Sequence, residues 1–279
     1  MTRSFGSASY WPLILVPLGL IAICFFYPLS QVLWLSISYP KFGLGNYALL
    51  FTDPAVRHII GTTARICVIT TLATMALGYL VAYVILHVSR THEAWILFVI
   101  LLSFWISVLV RAFAWVTLLQ PNGIINSSLL GLGLIARPLP LVRNELGVIL
   151  GMIHYMIPYA VLPLYVNMKT IDRRLVPAAR GLGASPRQAF LQVYLPLSVP
   201  GITGAGILVF IFSLGFYVTP AILGGGRVVM IAEYIALQVT ETLQWGLGTM
   251  LATSLLITVL LMIALMSRFI SPQKMLGAS

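Results

Sequence analysis

Six long apolar runs, separated by shorter polar stretches, set the pattern of this chain: about 12–37, 59–86, 95–119, 146–168, 196–223 and 247–270. Each offers the roughly 20 mostly apolar residues that a helix needs to cross the hydrocarbon core of a bilayer. The apolar positions are continuous, not alternating, which argues against membrane-spanning strands. The pattern predicts an all-α membrane protein with six transmembrane helices. The first run carries Pro12, Pro17 and Pro28, which membrane helices tolerate, usually with a kink. It is too long for the core of a signal peptide and no small-residue cleavage site follows it, so it is expected to remain as a helix.

The polar stretches divide the work between them. Residues 38–58 hold Gly, Pro and Asn turn signals. HVSRTHEAW forms a short hairpin between the second and third runs. The stretch QPNGIINSSLLGLGLIARPLPLVRNE has an apolar middle, which suggests a short helix at the membrane surface. GGGRVVMIAEYIALQVTETLQWG suggests a hairpin or an amphipathic helix dipping into a vestibule. No internal repeat, low-complexity tract or soluble domain is visible.

Composition agrees with the pattern. The 279 residues are 60% hydrophobic and 8% charged, with a mean hydropathy of +1.02. Soluble chains carry about 25% charged residues. The net charge of +10 raises nucleic acid as a partner, but the distribution of charge is a topology signal instead. With the N-terminus inside, the inside segments hold Arg3, Arg90, Lys169, Arg173, Arg174, Arg180, Arg187, Arg268 and Lys274. The outside loops hold Lys41, Arg57, Arg137, Arg143 and Arg227. This bias places both termini in the cytoplasm. Basic and aromatic residues do not interleave on a soluble segment, so no nucleic-acid surface is expected. Cys24 and Cys67 fall within apolar runs and read as small packing residues.

Familiar reaction centres are missing. The lysines are Lys41, Lys169 and Lys274, and none follows a glycine, so the chain has no phosphate-binding Gly-Lys-Ser/Thr turn. His92-Glu93 is followed by Ile96 where a zinc protease has its second histidine. Gly224-Gly225-Gly226 reads as a turn at the end of the fifth run. No catalytic residue, metal site or cofactor is expected, and the chain does not read as an enzyme.

The stretch KTIDRRLVPAARGLGASPRQAFLQVYLP, residues 169–196, is the most polar segment between two runs. Ser185-Pro186 suits a helix start, since serine caps free N–H groups and proline fits the first turn. Gly183 permits a tight reversal. Pro177 suits the start of a preceding short helix, and Phe190 and Leu191 are expected to anchor the second helix to the bilayer surface. The order is Pro177-Ala178-Ala179, three residues, Gly183, nine residues, Val193, one residue, Leu195-Pro196. It resembles the EAA loop of the membrane subunits of binding-protein-dependent ABC importers, with Pro177 in place of the usual Glu and Val193 in place of Ile. FWISVLVRAFAWVTLL, NGIINSSLLGLGLI, GMIHYMIPYAVLPLYVNMKTID and YVTPAILGG look like the spermidine/putrescine-type branch, and the likeness runs over roughly residues 59–270.

The resemblance implies the type I ABC importer permease fold. Residues 1–58 would be an N-terminal helix and outer loop, 59–270 the transport domain and 271–279 a cytoplasmic tail. The implied partners are a second, homologous permease, two cytoplasmic ATPase subunits and a periplasmic substrate-binding protein. Ala178, Ala179, Arg180, Gly183, Ala184, Ser185, Pro186 and Arg187 would couple the permease to the ATPases.

The solute would be a small amine. Outer acids such as Glu233 and Glu241 could meet its charge, and Tyr155, Tyr159, Phe216 and Tyr217 could offer ring faces to an ammonium group. Arg65 and Arg111 lie within apolar runs, where a charge either snorkels to the headgroups or faces protein and water. In the second case they favour a zwitterionic, opine-like amine. His154 reads as a hydrogen-bonded helix contact. An ion-coupled secondary transporter would call for intramembrane acids, whereas Asp53, Glu93, Glu145, Asp172, Glu233 and Glu241 all fall between runs. A membrane scaffold or receptor is disfavoured by the loop at 169–196.

Overall fold

In a computed structural model, residues 11–269 are described, and among them helix is the only regular structure. The helices are α1 (Trp11–Ser38), α2 (Gly45–Thr52), α3 (Pro54–His87), α4 (Arg90–Leu102), α5 (Val108–Leu119), α6 (Ile124–Gly131) and α7 (Glu145–Lys169). They continue with α8 (Leu175–Gly181), α9 (Pro186–Ala189), α10 (Leu195–Leu214), α11 (Val218–Gly224), α12 (Ile231–Thr240) and α13 (Trp245–Phe269). A single 3₁₀ turn, Ser103–Trp105, follows α4, and a π turn, Phe190–Tyr194, joins α9 to α10.

Six helical segments are long and apolar enough to cross a membrane: Ile14–Ser38, Pro54–His87, Val108–Gly131, Glu145–Lys169, Pro186–Leu214 and Trp245–Leu265. Two of the expected runs are corrected. The stretch 95–119 is not one helix. Ile106 adopts an extended backbone (ψ 124°) and α5 restarts two residues later, so the third segment comprises α5 and α6. The stretch 196–223 stops at Gly215, and α11 resumes after Tyr217. Apolarity alone does not demand an unbroken helix where neighbouring protein satisfies the freed backbone groups. The short helix expected after the third run is α6, and of the hairpin or helix expected before the sixth run the chain forms a helix, α12.

The described chain divides into two compact units. The first takes the residues up to Val56 together with Ile235–Thr258. Its tightest contact is at the turn after α1, where Gly246 lies so close that a Cβ would meet Tyr39 O at 2.5 Å. Asn46 Nδ2 donates to the same carbonyl at 2.7 Å. Most of α1 is exposed, Cys24 included. An apolar helix surface of that kind belongs in lipid or against another subunit.

The second unit takes Arg57–Tyr234 with the part of the chain from Val259. Its core is built from α3, α7 and α10, with Ala82, Ile85, Met156, Ala160, Leu164, Ala205 and Val209 all fully buried. Small residues set the crossings: a Cβ on Gly78 would sit 2.8 Å from Ala160 Cβ, and one on Gly201 would sit 2.5 Å from Asn167 Oδ1. Close approach of this kind is how membrane helices gain packing contacts. Cys67 is buried in α3, as a packing residue should be.

Candidate functional site

The 169–196 loop is a helix–reversal–helix. Arg174 N donates to Asp172 Oδ1 at 2.9 Å, and α8 begins at Leu175, two residues before the expected start at Pro177. Proline is tolerated there because the first-turn N–H groups have no partner inside the helix. Ala178, Ala179 and Arg180 form the body of α8. Gly183 makes the reversal with φ +93°, and no atom lies within 4 Å of where its Cβ would be. Ala184 leads into Ser185, whose hydroxyl accepts from Gln188 N at 3.3 Å while Ser185 N donates to Gln188 Oε1 at 2.8 Å. This capping box opens α9 at Pro186 and Arg187. The tip between the helices presents Leu182, 91% exposed, flanked by the exposed guanidinium side chains of Arg180 and Arg187.

Both ends of the loop are tied to the core of the second unit. At the entry, Lys169 Nζ donates to Tyr165 Oη at 2.6 Å and to Glu93 Oε1 at 3.4 Å, and Tyr165 donates to the same carboxylate. This joins the start of α4 to the end of α7. The Tyr165 hydrogen bond, more than the Lys169 charge, holds the Glu93 carboxyl below its ordinary range.

At the exit, Phe190 and Tyr194 stack at 5.9 Å and meet Tyr83 edge-on at 5.8 and 5.4 Å. Tyr83 in turn stacks on His87 at 4.1 Å. Phe190 therefore packs inward on α3 instead of anchoring the loop to the bilayer, because the π turn swings it toward Tyr79 and Tyr83. Leu191 stays exposed.

Halfway along the second unit, Arg111 is 7% exposed. It does not snorkel. Its Nη2 donates to Ser103 O, and to Ile106 O at 3.2 Å, so it satisfies carbonyls freed where α4 ends. Its guanidinium carbon lies 4.8 Å from the centre of the Tyr155 ring, a cation–π distance. Tyr155 also contacts Tyr159 (5.9 Å) and Phe216 (4.5 Å), and Tyr159 meets Phe104 (5.2 Å) and Phe212 (4.8 Å). Tyr155, Tyr159 and Phe216 are thus brought together, while Tyr217 lies at the start of α11 and is 46% exposed. His154 accepts from Trp115 Nε1 at 3.1 Å, a helix contact as expected.

At the end of the unit where α3 and α7 begin, Arg65 forms a two-pronged bond to Glu145: Nε to Oε1 at 2.8 Å and Nη2 to Oε2 at 2.6 Å. Arg65 is paired, not a lone charge. Next to it a cleft of about 340 Å³ is lined by the pair, by His58 and Thr62 of α3, and by the chain from Gly226 to Val229.

Beyond this cleft, Ile231 N donates to Thr63 Oγ1 at 2.8 Å and starts α12. Glu233, in its first turn, is 6% exposed. Its Oε2 has no hydrogen-bond partner. Burial pushes its carboxyl pKa up to about 7, against a weaker pull from a hydrogen bond to Met230 N–H. Glu241 lies one residue beyond the end of α12 and is exposed, so the two acids occupy unlike environments.

Residues 74–276 match the sequence profile of the family "Binding-protein-dependent transport system inner membrane component". The chain belongs to that family. It is therefore a multi-pass inner-membrane transport subunit of an ABC importer, and not an enzyme. It is 31% identical over 220 residues to the spermidine/putrescine transport system permease protein PotB of Escherichia coli strain K12, covering 79% of each chain. It is 30% identical to the inner membrane ABC transporter permease protein YdcU of the same organism, covering 95% of this chain and 89% of that one.

Among solved structures, it resembles a bacterial alginate ABC transporter in complex with an alginate pentasaccharide-bound periplasmic protein. The TM-score is 0.75 at 20% identity, over 95% of this chain and 96% of that chain. That likeness establishes the importer permease fold.

Several parts of this permease escaped the sequence reading. Leu182 was one, although a lone leucine between two glycines at a polar tip is a visible signal. The Glu93–Tyr165–Lys169 link was another, and it spans more than seventy residues of chain. Tyr79, Tyr83 and His87 recur at four-residue spacing on α3, which marks one helix face.

Proposed function

We propose that the chain is the permease subunit of an ATP-driven importer for small amines of the putrescine and spermidine class. The likeness to the spermidine/putrescine permease along most of both chains carries this reading. The partners would be a second permease, a soluble binding protein on the outer side, and two ATPases that receive residues 175–189. Leu182 would enter an apolar groove on the ATPase, with Arg180 and Arg187 at its rim. ATP-driven closure would move the loop. Because both ends of the loop are tied to α3, α4 and α7, that motion would reach the spans directly.

The solute path is proposed to run past Tyr159, Phe216 and Glu233. One face of Tyr155 is already covered by Arg111, so an ammonium group would use the neighbouring rings. The free Oε2 of Glu233 is the acceptor best suited to an ammonium ion. The complex rebuilt in proteoliposomes is expected to take up labelled putrescine or spermidine in the presence of its binding protein and ATP. Uptake of sugars alone would defeat the amine reading.

A second reading, a carboxylate-bearing amine, is favoured by one observation: the buried Nε of Arg111 has no partner. It predicts that Arg111→Ala removes uptake of the zwitterion and spares the diamine.

The positive-inside distribution supports cytoplasmic termini. Reporter fusions at Ser279 and within 169–195 should signal cytoplasm, and one at Arg227 should signal the outside. A cytoplasmic signal at Arg227 would reverse the topology.

A further inference from the structure

The cleft beside the Arg65–Glu145 pair has a charge that the amine reading does not use. Its carboxylate, Glu145, is held at 2.6 and 2.8 Å by Arg65, so that charge is neutralised within the pair. Arg227 lines the cleft and is exposed. Arg143 packs beside Gly225, the residue before the cleft wall begins at Gly226: its Cγ and Nε are 2.8 and 3.4 Å from where a Cβ on Gly225 would be.

Neither Arg143 nor Arg227 has a carboxylate within ion-pair distance among the described residues. His58 completes the wall and is also exposed. The backbone fixes this arrangement. Arg143 N donates to Leu223 O at 2.8 Å, and Gly225 and Gly226 turn the chain with φ +53° and +75°. Arg143 itself has φ +60°, a conformation uncommon for a side-chain-bearing residue. Main-chain bonds thus bring the backbone at Arg143, on Leu223, near that at Arg227, on Gly224, and both side chains are exposed beside the cleft.

A cationic amine would be repelled here. The groups suit carboxylates, which guanidinium forks bind with two parallel hydrogen bonds. On the proposed topology, the cleft lies at the outer ends of α3 and α7, where the soluble binding protein arrives.

We propose that Arg143 and Arg227 form a cationic seat for acidic side chains on the surface of the solute-loaded binding protein. The Arg65–Glu145 pair lines the same cleft as Arg227 and keeps its own charge neutralised. The proposal rests on the reading of the chain as an importer permease.

The test uses the whole complex in nanodiscs of zwitterionic lipid, titrated with its loaded binding protein while ATP hydrolysis is followed. In the wild type, the concentration giving half-maximal stimulation should rise with added NaCl, as screened charge contacts require. Arg143→Glu with Arg227→Glu should raise that concentration roughly tenfold or more and flatten the salt dependence. Replacing both by lysine should restore most of the response, since charge is kept. The ATPase that co-purifies with each variant reports assembly and should match the wild type.

A double glutamate variant that assembles and responds like the wild type would overturn the proposal. So would a salt-independent wild-type titration. An effect of the variants only in nanodiscs containing phosphatidylglycerol would also overturn it, by assigning the cleft to a lipid phosphate. Absence of any stimulation in the wild type would instead remove the importer reading beneath it.

Discussion

Replacing Gly183 with aspartate is expected to uncouple the transporter while leaving it in the membrane. The Cβ would meet nothing within 4 Å, so the fault is not a clash. It lies in the backbone, whose φ of +93° suits glycine and costs other residues about 1–3 kcal/mol. Aspartate tolerates positive φ better than most residues, but it adds a negative charge between Arg180 and Arg187. The loop should relax its reversal and turn Leu182 away from the direction α8 and α9 now give it.

Spans α3, α7 and α10 pack independently of that tip, so protein abundance should stay near normal. Co-purified ATPase should fall, and stimulation of hydrolysis by loaded binding protein should be lost. Leu182→Asp should have the same effect through the lost apolar anchor. Arg90→Ala, in the α3–α4 hairpin, should do much less. Normal coupled transport by Gly183→Asp would show that residues 169–196 are an ordinary basic loop.

Glu233→Gln should make the protein sturdier and the transporter worse. The folded-state pKa is raised from 4.5 to about 7, so folding disfavours the ionised form. That cost is absent below pH 4.5, grows as pH rises toward 7 and is constant above. It corresponds to at most about 3 kcal/mol. Glutamine keeps the shape and never ionises. The variant should therefore melt above the wild type at pH 8, and the difference should shrink by pH 5.

If the free Oε2 receives an ammonium group, the same change should raise the KM for putrescine uptake roughly tenfold or more, the loss expected when a charge-assisted hydrogen bond disappears. A gain in stability with a loss of function marks a strained site. Glu233→Gln with unaltered uptake would leave this carboxylate a structural cap on α12.

Much of this architecture was readable because its causes are local. The pattern Ser185-Pro186 with Gln188 three residues after the serine needs nothing beyond its own turn to start a helix, and Gly183 needs only its missing Cβ. The breaks at residues 103–107 and 215–217 were not readable. At the first, carbonyls are satisfied by a side chain that returns from further along the chain, as Arg111 does for Ser103 and Ile106. Arg65 looked like a lone intramembrane charge because its partner Glu145 is eighty residues away. Phe190 looked like a lipid anchor because a four-residue helix ahead of a π turn cannot be told from one continuous helix by composition. Glu233 and Glu241 looked equivalent, since spacing carries no information on burial.

The π turn at Phe190–Tyr194 fixes something no individual contact does. A π turn holds one residue more than an α turn, and one residue is about 100° of rotation about a helix axis. The face of α10 that carries Ser198, Gly201, Ala205, Val209 and Ser213 is the buried one, and its direction is set by α7. The direction in which α8 and α9 point is therefore dictated by the number of residues in the turn. Deleting one residue between Phe190 and Tyr194 would leave α10 and its packing on α7 in place and aim Leu182 about a quarter-turn away. Within this family, a loop grafted from another permease should work only when it brings its own residue count up to Leu195.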